Sequence, residues 1–171
     1  MNVVRLAVAH RSARYFGFCV VTVLCTVASS INLNAAEPAG QLVGFSRSQL
    51  IITTGNQQCT LFDVYVAATA EQRAQGLMFV QEMDTYEGMI FLYPRPARIS
   101  MWMKNTFIPL DMLFIDESGA IKAIHTDAVP QSTAVIDSGV SVTRVLELNG
   151  GTVRAFGIRV NDRIIFPFGP R

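Results

Sequence analysis

This sequence predicts a mainly β (α+β) domain, a compact and mostly antiparallel barrel-like sheet with two short helices. Three observations carry that expectation. Short runs rich in Val, Ile, Phe and Tyr recur along the chain, punctuated by Gly, Asn, Asp and Pro. Helix-start chemistry appears at only two places, Thr69 and Asn149–Thr152. Strand-like and helical runs do not alternate regularly, which argues against a wound parallel sheet.

The N-terminus has a different character. Arg5, Arg11 and Arg14 precede the apolar run Tyr15–Ala28, small residues follow, and the first acid is Glu37. That order reads as a secretory signal peptide over residues 1–36, cut after Ser30 or after Ala36. The apolar run falls short of the ~20 residues a spanning helix needs, which favours cleavage over the alternative of an uncleaved inner-membrane anchor. Leu24 before Cys25 does not suit lipidation. A periplasmic or secreted bacterial protein is expected, meeting the membrane only through an uncut leader.

Without the leader 135 residues remain, with 11 Lys and Arg against 13 acids, a formal charge of −2. Such a balance lacks the basic footprint of a nucleic-acid binder. Cys19 and Cys25 leave with the leader, so Cys59 has no intramolecular disulfide partner and the core must hold the fold. In its apolar run Cys59 is expected to be buried.

Residues 37–47 read as a tether and 48–168 as one domain. Ser48–Thr54 and Cys59–Ala67 are strand-like, with a hairpin turn at Gly55-Asn56. In the second run Phe62, Val64 and Val66 share one face and Leu61, Asp63 and Tyr65 the other, so both faces are expected to be partly covered. Thr69 and Gln72 have capping-box spacing for a short helix that Gly76 ends. Gly88–Tyr93 is a strand closed by Pro94-Arg95-Pro96. Arg98–Lys104 is another, with Ile99, Met101 and Met103 on one side and Arg98, Ser100, Trp102 and Lys104 on the other. Asn105-Thr106 bends the chain and Pro109 stiffens the entry to strand Leu110–Asp116. After the turn Glu117–Gly119 come strand Ala120–Thr126, a loose segment Asp127–Val140 and strand Val142–Leu148. Asn149–Thr152 opens a short helix, and a turn at Asn161-Asp162 leads to strand Arg163–Phe168. About eight strands result.

Several stretches, AATAEQRAQGLM, EGMIFLY, MWMKNTFIPLDMLFID, RVLELNGG and FGIRVNDRI, occur in the order typical of one family. The chain resembles the domain of unknown function 192 family over roughly residues 48–166. The resemblance implies a small, mostly β fold and frequent export in bacteria, and brings no established activity. Departures from the family pattern fall at Val80 (usually Arg), Asn161 (usually Gly) and Arg144 (usually aromatic). The 127–140 loop also lacks the cysteines many members carry.

Trp102, Lys104, Asn105 and Asp111 gather at the bend of a chain with only 16% charged residues. A flat apolar ring, a mobile ammonium, an amide and a carboxylate on a Pro-stiffened corner suit a ring-bearing polar ligand. Arg73, which could reach an acid, and Glu147 complete the candidate ligand-binding set. The expected function is a non-catalytic envelope binding or accessory module, meeting an envelope saccharide, a small anionic ligand or an envelope protein. The alternative is a small hydrolase using Asp111, Glu147 and His125 as acid–base groups. It requires those groups to converge. His125 and Asp127 share a strand face, but without a HExxH or CxxC signature no metal and no cofactor is expected.

Overall fold

The computed structural model describes residues 42–166, so the leader, the first five residues of the tether and the end of the expected last strand lie outside the described residues. The first two strand-like runs pair as the expected antiparallel hairpin, β1 (Ser46–Thr53) and β2 (Cys59–Ala67). Leu42 is buried and β1 begins at Ser46, so the last residues expected in the tether belong to the packed fold. The capping box forms as read. The Thr69 hydroxyl accepts from the Gln72 amide at 3.2 Å and Gln72 Oε1 accepts from the Thr69 amide at 3.0 Å, starting α1 (Ala70–Gln75).

The chain then returns to lay β3 (Glu87–Met101) parallel to β2, a crossover that a local reading of the strands did not anticipate. β3 also corrects the expected break at Pro94-Arg95-Pro96. Its pairing with β6 (Ile136–Asn149) runs to Leu92↔Arg144 and resumes at Ala97↔Val142 after a register shift. Both prolines fall in that unpaired gap, where a missing amide hydrogen costs no ladder bond. Two expected strands therefore become one. With β4 (Leu110–Ile115), β5 (Ile121–Ala128), α2 (Thr152–Phe156) and β7 (Arg163–Ile165), the described residues form seven strands, not eight, and two short helices. The end of the supposedly loose 127–140 segment is strand β6.

The sheet order is β5-β4-β6-β3-β2-β1-β7, antiparallel at every pairing except β2–β3. The sheet curls until its edge strands meet. Ala120 bridges Arg163, and the Ile164 amide donates to the Gly119 carbonyl at 2.8 Å. Gly119 sits at φ +84°, and a Cβ there would lie 2.5 Å from the Ile164 oxygen, so only glycine permits the closure.

Curling leaves two apolar layers. The inner one draws Leu50, Ile52, Phe62, Val64, Ile90, Leu113, Ile121, Leu146, Leu148 and Ile164 from all seven strands and seals the half-barrel. The outer one lies on the opposite face of β2, β3, β4 and β6, under the α1 segment and the 99–110 corner. It includes Tyr65, Leu77, Phe91, Phe114, Val145 and the methionines 89, 103 and 112. β2 thus has cover on both faces, as its sequence implied. Cys59 does not follow expectation. It opens β2 beside the hairpin turn, exposed and unpaired, with its sulfur 3.8 Å from the Thr53 hydroxyl.

Candidate functional site

The outer layer holds a cavity of about 230 Å³ between α1, the far half of β3 and the corner that follows it. Gly76 ends α1 at φ +51° and turns Leu77 and Met78 back over the sheet as one wall. Phe91, Tyr93 and Met101 come from β3, Trp102, Lys104 and Thr106 from the corner, and Glu147 from β6.

Glu147 is the chemically unusual member. On β6 it stands directly between Met89 of β3 and Met112 of β4, two fully buried thioether side chains. Its own side chain is only 3% exposed, and no donor among the described residues reaches its carboxyl, whose oxygens open on the cavity and are not sealed in the core. An ionised carboxylate there would lose water without gaining a partner. Burial therefore pushes the Glu147 carboxyl up to about 8 from its ordinary 4.5, so the acid is mostly neutral at pH 7.

Cations line the way in. Arg73 Nη1 donates to the carbonyls of Ala68 (2.6 Å) and Leu92 (2.9 Å), and its guanidinium lies 5.1 Å from the Tyr93 ring centre. These contacts fix Arg73 between α1 and β3 without a carboxylate partner among the described residues. The Tyr93 hydroxyl donates to the Met101 sulfur at 3.7 Å. Burial pushes the Tyr93 phenol up, opposed by Arg73 and reinforced by Glu147. The Trp102 ring borders the cavity at 52% exposure and does not plug the core; the Lys104 ammonium sits 5.7 Å from its centre.

Asn105 supports the site from outside the lining. It occupies φ +57°, a left-handed position asparagine tolerates. Its carbonyl accepts from the Phe79 amide at 2.8 Å and its amide donates to the Met78 sulfur at 3.8 Å, stitching the corner to the Met78 wall. Asp111 lies elsewhere. It pairs with Leu148 and so points to the sheet face opposite Glu147. There its two oxygens accept from the Asp127 and Val153 amides, both at 2.8 Å. Val153 belongs to the first turn of α2, whose N-cap Gly151 offers no side chain, so Asp111 supplies that cap from a distance. The proposed Trp102–Lys104–Asn105–Asp111 corner therefore splits. Trp102 and Lys104 join Arg73 and Glu147, Asn105 braces them, and Asp111 holds the fold.

The convergence required of a hydrolase is missing as well. His125 is exposed on edge strand β5, opposite Met112 and one strand further from Glu147 than Met112 is. Asp127 sits at φ +53° after a register shift, which ends simple alternation with His125, and its carboxylate lies 3.6 Å from Arg154. Among the described residues no three His, Cys, Asp or Glu side chains group as metal ligands. Sequence reading missed Phe91, Tyr93 and Met101, because Tyr93 looked like a strand end beside Pro94. The departures from the family pattern are accommodated locally. Val80 is fully buried, Asn161 adopts φ +76° where glycine is usual, and Arg144 donates to the Asp116 carbonyl at 3.0 Å.

Solved structures similar to this chain include the following two. A "putative transcription regulator" from Sinorhizobium meliloti 1021 is 41% identical, with a TM-score of 0.72 over 72% of this chain and 96% of that one. A protein of unknown function from Novosphingobium aromaticivorans DSM 12444 is 33% identical, with a TM-score of 0.70 over 72% of this chain and 88% of its own. No curated protein matches. The model of the family DUF192, described as Uncharacterized ACR, matches residues 51–166, the stretch that spans every strand from within β1 to β7. The chain belongs to the domain of unknown function 192 family.

Proposed function

We propose that this protein is a non-catalytic binding module of the bacterial envelope. In this reading it takes a small ring-bearing polar ligand, a saccharide fragment or an anionic metabolite, into the cavity between α1 and the Trp102–Thr106 corner. One observation carries the reading: a half-exposed indole and two cations frame a cavity onto which a largely buried carboxyl opens. Aromatic walls with a few convergent polar groups are the usual chemistry of small-molecule sites. The volume, about 230 Å³, lies below the roughly 300–1,000 Å³ of a drug-sized pocket, which suits a small ligand or one ring of a larger one. The regulator role named for the Sinorhizobium protein is that protein's own.

Envelope location is part of the proposal and rests on the signal-like residues 1–36. A fusion of residues 1–45 to alkaline phosphatase, active only after export, tests it; an inactive fusion rejects it. For binding, the full chain is screened by thermal shift against envelope glycans and anionic metabolites. A shift abolished by Trp102→Ala supports the reading, and a shift indifferent to that substitution defeats it.

A further inference from the structure

We infer that the cavity selects a small planar monoanion, with its charge against Arg73 and Lys104 and a hydrogen-bond acceptor against the Glu147 carboxylic acid. The inference rests on the binding reading above and names its ligand class.

Every element around Glu147 contributes to the argument. α1 offers Arg73, β3 offers Tyr93, and the corner offers Lys104. β4 offers only the thioether of Met112, and His125 lies exposed beyond it on β5. With Glu147 neutral the cavity carries two positive charges and no negative one, so a cationic ligand meets repulsion and an anion meets attraction. Planarity follows from the walls, where the rings of Phe91, Tyr93 and Trp102 all line the space. The carboxylic acid adds a requirement on the ligand. In its protonated form it offers an O–H donor that nothing among the described residues accepts, so a bound ligand gains by presenting an oxygen. Ionised, the same group would repel that oxygen. Anion binding and the Glu147 proton are therefore coupled: affinity is greatest below the midpoint near 8 and falls as pH rises through it. The Tyr93 phenol, pushed up by burial, stays neutral over the same range.

The test uses the full chain and three probes of one shape, benzoate, benzamide and benzylamine, titrated by calorimetry at about pH 6 and about pH 9. Benzoate is expected to bind best and benzylamine worst, with benzoate weakening about tenfold between the two conditions. Glu147→Gln is expected to bind benzoate with that dependence gone, and Lys104→Met to weaken benzoate more than benzamide. A measurement on the unaltered protein guards against a misfolded variant: saturating benzoate should raise the Glu147 titration midpoint. Benzylamine binding as well as benzoate, a pH dependence that survives in Glu147→Gln, or a midpoint unmoved by benzoate overturns the inference while leaving a binding cavity. If none of the three probes binds, the inference fails, and the binding reading stands or falls on the Trp102-dependent thermal shift alone.

Discussion

Two acids are buried on neighbouring central strands, one register step apart, and the chain treats them in opposite ways. Asp111 on β4 has both oxygens engaged by backbone amides, one of them an otherwise uncapped N–H of α2. Glu147 on β6 has neighbours of similar burial and receives no hydrogen bond among the described residues. Position alone separates them. The pleat turns Asp111 toward the α2 side and Glu147 toward the outer layer and its cavity. A satisfied buried polar group is part of the scaffold, whereas one left unsatisfied against a cavity marks a place where a ligand would complete the structure.

The first way to break this comparison is to remove the scaffold acid. Asp111→Ala strands the buried Val153 amide and frees the part-buried Asp127 amide, and is expected to cost about 2–3 kcal/mol in urea unfolding. A loss under about 1 kcal/mol would show that the amides find other partners.

Glu147→Gln tests the other acid through its pH dependence. In the native state the proton stays on up to about 8, whereas the unfolded chain releases it near the ordinary 4.5. Between those values the native state binds more protons, so stability should decline by up to about 1.4 kcal/mol per pH unit and level off above the native midpoint. Urea unfolding at several pH values should show that decline in the natural sequence and a markedly flatter profile in Glu147→Gln.

Smaller effects sharpen the contrast between scaffold and site. Thr69→Ala removes a formed capping box from α1, which carries the cavity wall, and should lower stability by about 1 kcal/mol in thermal melts. Trp102→Ala, at a half-exposed position, should cost less than about 1 kcal/mol while removing any ligand-induced shift. A large stability loss at Trp102 would move it from the site to the scaffold.

The same physical distinction explains what the sequence made legible. Local chemistry was readable. Thr69 and Gln72 lie three residues apart and settle their helix start between themselves, and alternation placed Ile99 and Met103 inward with Trp102 outward. Pro94 and Pro96 misled because a proline breaks a strand only where its amide is needed. That depends on β6, some 45 residues further along the chain. The parallel β2–β3 pairing was hidden for a related reason, since it depends on where the α1 crossover lands. β4 is buried along its whole length, so its sequence carries no alternation to say which way Asp111 points. Only its register against β6 does.

The most direct test of the account is a titration of the Glu147 carboxyl, followed by carbon-13 NMR of the side-chain carbon in the full chain and assigned by its loss in Glu147→Gln. The account predicts a single midpoint near 8, far above the ordinary 4.5 of a glutamate carboxyl. A midpoint in the ordinary range near 4.5 would mean that water or a hidden partner already satisfies this acid, and would contradict the cavity reading.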